Sequence, residues 1–272
     1  MPHLVPIRAI RLFLIGLFAL LGATADAACL RNVADLRPSL VPVRFGPGAV
    51  PPGHVGLTFI GHASFLIETA AGVTIVTDYN DYVRPDITPD IVTMNNAHST
   101  HYSLSVDPGI RHVLQGWGDP NGPATHELIV EDVRIFNVPT NVREFDGTRK
   151  NGNSIFVFET AGLCIAHLGH LHHRLTREHL AMLGQIDVLM VPVDGSYTLN
   201  LQDMTDVIEQ IRAPLVIPMH YFTAGGLERF LATYRGKATS LDYEVNISPT
   251  ASVLLSRDRL PARPEILVLP GH

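Results

Sequence analysis

From residue 55 onward, short apolar runs rich in β-branched and aromatic residues are punctuated by turn residues, the texture of meander strands. Residues 56–60, 64–69 and 73–77 form three such runs in quick succession, separated by Gly61-His-Ala63 and Ala70-Ala-Gly72, and predict meander strands. Residues 91–94 and 111–115 extend the series. A second β-rich block covers 132–138, 154–159 and 163–167, with turns at Phe145-Asp-Gly147 and Ala161-Gly162. The texture then changes. Residues 176–183 open with Thr176 and Glu178, a helix-start signature. Residues 186–192 are a continuous apolar run of the kind buried on both faces. Val207, Ile208 and Ile211 give 200–211 helical spacing, and 226–234 predicts another helix. Residues 215–218, 242–247, 252–255 and 266–268 read as the closing strands.

Strands, then strands mixed with helices, then strands again predict an α+β domain over 55–272. Two sheets packed face to face with helices outside would satisfy that order. A doubly wound nucleotide fold fits poorly, because no glycine-rich phosphate loop follows the first strand and there are too many hairpins. Residues 28–54 are rich in proline and glycine and predict an irregular lead-in. Ahead of them, Arg8 and Arg11 precede an apolar run from Leu12 to Leu21, and Ala25-Asp-Ala27 offers a small-x-small cleavage pattern. This predicts a secretory signal peptide over 1–27. The run is shorter than the ~20 residues a membrane-spanning helix needs. The expectation is a periplasmic or secreted protein with no stable membrane insertion after cleavage.

Cleavage after Ala27 leaves 245 residues and removes two arginines and one aspartate, taking the net charge from −6 to −7. An acidic surface argues against a nucleic-acid partner, which wants a basic stripe, and leaves a small-molecule substrate as the expected partner. Cys29 and Cys164 are the two cysteines. An oxidising compartment permits a disulfide, but the pattern favours a buried Cys164 and an idle Cys29.

The chain has 14 histidines, and their placement matters more than their number. His62, His98, His101, His167, His170 and His220 all fall where a predicted strand gives way to a loop. Strand ends on one rim of a layered fold converge, and imidazole is the commonest ligand for zinc, copper, iron and nickel. A metal site is the economical explanation. His54, His112, His126, His179 and His272 lack that placement and read as surface or core residues.

Gly61-His-Ala-Ser-Phe-Leu-Ile-Glu68, Thr77-Asp78, His167-Leu-Gly-His-Leu-His-His173, Val191-Pro-Val-Asp-Gly-Ser-Tyr-Thr198 and Ile217-Pro-Met-His-Tyr221 look like successive blocks of one family. It is the metallo-β-lactamase superfamily, and the blocks resemble its ascorbate-6-phosphate lactonase-like branch. The resemblance implies a four-layer αββα sandwich with metal at one edge between the sheets. It also implies attack by a metal-activated water on an ester, lactone, amide or phosphodiester. The departures are informative. Where the family's metal loop reads His-x-His-x-Asp-His, this chain has Asn96-Ala-His98-Ser-Thr100-His101, and Asn141 stands nearest to a further family histidine. The family's bridging Asp is replaced by His170, while His220 matches its final ligand.

Losing the bridging carboxylate removes the anion that offsets repulsion between two dications, which amounts to several kcal/mol at an effective dielectric of about 20. The expectation is therefore one transition metal, zinc foremost with iron or copper as alternatives, held by a subset of His98, His101, His170 and His220. Neutral ligands leave its full charge to acidify a bound water. Asp78 is expected to orient a ligand histidine, and His62, Asn96 and Asn141 to face the substrate. The predicted function is an exported metal-dependent hydrolase using a metal-bound water on an ester, lactone or phosphodiester. A metal-binding protein without hydrolysis and a redox-metal enzyme are the rivals.

Overall fold

The computed structural model describes Cys29, the Val41–Pro42 pair and residues 50–271 apart from 120, 238 and 239. The expected signal peptide and most of the lead-in lie outside the described residues.

Two mixed sheets face each other. The first runs in the order β1 (Val41–Pro42), β14 (Ser252–Leu255), β2 (Val55–Gly61), β3 (Ser64–Thr69), β4 (Thr74–Val76), β5 (Ile91–Met94) and β6 (His112–Gln115). The second runs β13 (Glu244–Ile247), β15 (Glu265–Val268), β12 (Leu215–Met219), β11 (Val188–Pro192), β10 (Leu163–His167), β9 (Gly147–Thr160), β8 (Val133–Glu144) and β7 (Glu127–Val130). The apolar runs of the second sheet are divided strictly by parity. Leu163, Ile165, Val188, Met190, Leu215 and Ile217 join the core between the sheets, while Cys164, Ala166, Leu189, Val191 and Val216 face the helices. That is the burial on both faces the continuous runs predicted.

Helices α1 (Arg177–Leu183), α2 (Leu201–Ile211) and α3 (Ala224–Gly236) follow β10, β11 and β12 and cover that second face through Leu183, Met204, Val207, Ile208 and Phe230. Each has a side-chain N-cap, from Thr176, Asn200 and Thr223. Thr176 closes its helix in a reciprocal box with His179. Over the first sheet, Tyr79, Tyr102, Val106, Ile110 and Trp117 from irregular segments pack on Val76, Val92 and Met94. The architecture is an α+β two-sheet sandwich, as expected, with helices over the second sheet and irregular segments over the first. No described helix is long and apolar enough to cross a membrane.

Two differences from the sequence reading have physical causes. The β8–β9 hairpin extends well past 138 and begins again before 154, because residues 139–153 are polar and pair beyond the apolar core. Cys29 and Cys164 are joined in a disulfide with their Cα atoms 5.6 Å apart, which corrects the expectation of an idle Cys29. Cys29 is also fixed by its carbonyl, which accepts the Gln185 N–H at 2.7 Å just beyond α1. Their separation of 135 positions along the chain hid that proximity.

Candidate metal centre

β2 and β4 run the same way, as do β5, β10, β11 and β12, so their C-terminal ends deliver His62, Asp78, His98 and His101, His170, Asp194 and His220 to one rim. His62, Asp78 and His220 have φ values of 53°, 44° and 58°. Left-handed backbone at three non-glycine residues is costly and is a mark of functional sites. The His220 N–H donates to the His62 carbonyl at 2.7 Å, tying the two sheets together at this rim.

The hydrogen bonds of each ring decide what it can still do. His101 Nδ1 donates to Asp78 Oδ2 at 2.6 Å, and His220 Nδ1 donates to Asp194 Oδ1 at 3.0 Å. Both rings therefore present an Nε2 lone pair, and these two atoms stand 3.0 Å apart. Two lone pairs facing each other at that distance repel unless a cation lies between them. His62 Nε2 is buried with no hydrogen-bond partner, and ligand atoms of His62, His101 and His220 all lie within 4.8 Å of one another. Carboxylates behind ring nitrogens are the usual second support of histidine metal ligands. These residues fit a single metal ion.

Both carboxylates are tightly held. Asp78 is buried and takes the Asn95 N–H at 3.0 Å on its other oxygen. Burial lifts it to about 6, against the pull of His167 and the Asn95 N–H. Burial would also raise Asp194, but His220, Thr198 and the Ser196 N–H hold it below the ordinary carboxylate range. Its carboxylate accepts backbone N–H groups from Ser196, Tyr197 and Thr198 at 2.7–3.1 Å. Burial, followed by repulsion from His220, brings His62 down to about 3. Burial likewise holds His101 well below its ordinary value, so both rings are neutral and able to ligate near neutral pH.

The other expected site residues are placed as follows. His98 is exposed at the mouth, stacked on His170 with centroids 5.5 Å apart, and its Nδ1 meets Thr100 Oγ1 at 3.0 Å. The His170 ring lies 4.7 Å from His101 and 5.2 Å from His220. All four histidines of the expected ligand set thus meet, and His62 joins them 4.2 Å from His220. Asn96 is buried, accepts from Arg149 at 3.4 Å, and leaves its Nδ2 without a partner. Asn141 is engaged in the β8–β9 hairpin, where its side-chain oxygen accepts the Asn151 N–H at 3.0 Å and its own N–H donates to His173 Nε2. His167 is fully used by the fold: Nε2 donates to the Ala63 carbonyl at 2.7 Å and Nδ1 accepts from Gly169 and Asn95. Sequence reasoning marked Asp194 as a loop acid without giving it the ring-orienting role, and missed His172, whose Nε2 is 2.6 Å from His170 Nδ1. A strand-end acid two residues after β11 was the available signal for Asp194.

Fold and site together define an α+β sandwich of two mixed sheets with a histidine cluster suited to a metal ion at one rim. Residues 56–220 match the family model described as a β-lactamase superfamily domain, and the chain belongs to that superfamily. A UPF0173 metal-dependent hydrolase of Pyrococcus furiosus is 26% identical over 196 residues, covering 62% of this chain and 85% of that protein. One from Methanoculleus marisnigri is 27% identical over 194 residues, covering 66% and 86%. A crystal structure of a Thermotoga maritima superfamily protein, proposed there to be a zinc-dependent hydrolase, superimposes with a TM-score of 0.57. It is 30% identical and covers 80% of this chain and all of that one.

Proposed function

We propose that this protein is an exported hydrolase that uses one metal ion, most simply zinc, on an ester, lactone or phosphodiester, in the manner of the lactonase-like branch. The observation that carries the metal reading is the pair of carboxylate-backed Nε2 atoms of His101 and His220 at 3.0 Å. His62 completes a neutral three-nitrogen set, a donor chemistry suited to zinc, copper or iron rather than magnesium or calcium. When bound, such a metal supplies Lewis acidity that brings the pKa of water to about 7. The chain's own residues do the rest. Asp78 and Asp194 fix the tautomer and aim of the two ligand rings, and the unpartnered Asn96 Nδ2 offers a hydrogen bond to a substrate oxygen. His98 lines the mouth. Relatives named as metal-dependent hydrolases support the reaction class. The Cys29–Cys164 disulfide supports an oxidising compartment and hence export.

Elemental analysis of protein purified from its own compartment, paired with a panel of esters, lactones and phosphodiesters, tests the reading. About one zinc per chain with turnover that chelation abolishes is expected. Stoichiometric metal without turnover across the panel would make this a metal-binding protein, and a coloured copper or iron protein would make it a redox one.

A further inference from the structure

The geometry assigns His170 to the substrate rather than to the metal: its Nε2 is a fixed N–H donor for the oxygen that gains charge during hydrolysis. This rests on the hydrolase reading for its chemistry, but the assignment of the proton does not.

The argument starts at a backbone amide, which can only donate. The Arg143 N–H, on β8, donates to His172 Nδ1 at 3.2 Å. An Nδ1 that accepts cannot carry a proton, which excludes both the Nδ1–H tautomer and the imidazolium, so the proton of His172 sits on Nε2. That Nε2–H faces His170 Nδ1 at 2.6 Å and must donate to it. By the same logic His170 carries its single proton on Nε2. This atom is buried without a hydrogen-bond partner, and its ring packs among those of His98, His101 and His220. A nitrogen that bears hydrogen has no lone pair for a metal.

His101 and His220 show the opposite arrangement in the same cluster, with acceptors behind Nδ1 and lone pairs in front. His173 gives an internal check on the method: its Nε2 accepts the Asn141 N–H at 3.0 Å and its Nδ1 donates to the Arg174 carbonyl at 2.8 Å, a closed and consistent pair. His170 stands where the resembling family has an acid, so the change replaces a potential anionic ligand by a neutral donor. In the reaction, the oxygen of water bonds to the carbonyl carbon as the π electron pair moves onto the carbonyl oxygen. His170 Nε2–H stabilises that oxygen until the pair returns, the carbon–oxygen bond to the alcohol breaks, and the alcohol oxygen departs with the proton that the water gave up.

Long-range ¹H–¹⁵N spectra of the zinc-loaded protein, labelled at histidine, read the tautomers directly. Protonated Nε2 at His170 is expected, alongside protonated Nδ1 at His101 and His220; a His170 that is zinc-bound or protonated at Nδ1 overturns the assignment. His170→Ala should keep its zinc while kcat falls about 10²-fold or more with little change in KM. His170→Gln, which retains an N–H donor, should recover part of that loss. Loss of zinc in both variants would overturn the proposal and leave the hydrolase reading standing. A wild-type protein that hydrolyses nothing would instead sink the hydrolase reading, and the spectra and zinc content would still decide where the His170 proton lies.

Discussion

A histidine has two nitrogens, and here the group behind one of them sets the task of the other. Asp78 and Asp194 do this for His101 and His220. Replacing either acid by Asn leaves the volume nearly unchanged but removes the charge-assisted hydrogen bond that orients the ring. Asp78→Asn and Asp194→Asn should each weaken zinc about 10–100-fold, read by competition with a chromogenic chelator. Gly169 is a second residue under local constraint. It has a φ of +58°, and an added Cβ would lie 2.5 Å from the Asn95 side chain and 2.6 Å from Asn153 Oδ1. Those two side chains bond His167 and the His170 N–H. Gly169→Ala should cost about 2 kcal/mol or more in urea unfolding, since both the backbone and the contacts must shift. Of this, only the ring-orienting role of Asp78 was legible in the sequence. The histidine-rich strand ends announced a metal site, but the division between ligand and donor depends on partners as remote as Arg143.

At the level of elements, legibility followed burial. Strands whose side chains divide between two apolar cores, such as β10 and β11, were found within a residue or two, because both faces leave a hydrophobic trace. The outer half of the β8–β9 hairpin left almost none, since its pairs Val142–Arg149, Arg143–Thr148 and Glu144–Gly147 bring in Val142 as their one buried apolar side chain. The start of β5 is pinned by another means. The Asp90 carboxylate accepts from Thr74 N at 2.8 Å, Thr74 Oγ1 at 2.9 Å and Arg111 at 2.6 Å, joining β4 to the approach of β6. Burial opposes its ionisation, but these hydrogen bonds and the Arg111 charge hold it below the ordinary carboxylate range. A pKa depressed by folding contributes stability above the unfolded value near ~3.9, and loses it as pH falls through the folded value. Asp90→Ala should therefore cost about 1–2 kcal/mol at pH 7. The gap from wild type should narrow as denaturation is repeated at pH values falling below 4.

For the whole molecule, the order of strands and helices was enough to expect an α+β sandwich, and the strand-end histidines were enough to expect a histidine cluster on one rim. The disulfide was not, because spacing along a chain carries no information about separation in space. Closing a loop of 135 residues, it should contribute about 2–4 kcal/mol. Cys29→Ala/Cys164→Ala and reduced wild type should show matching losses in guanidinium unfolding; equal midpoints with and without reductant would count against it. Metal acts on the same scale. Zinc at a hundred times its dissociation constant should add about 2.7 kcal/mol, so chelation should lower the melting temperature measurably.

The amide of His220 reaches across to the carbonyl of His62, and both rings belong to the proposed ligand trio. Any breathing motion that parts the two halves of the sandwich must therefore break this bond and scatter the nitrogens in one event. Deuterium uptake at that amide would time how often the metal can escape, and zinc should slow it far more than it slows amides at the distant edges of the sheets.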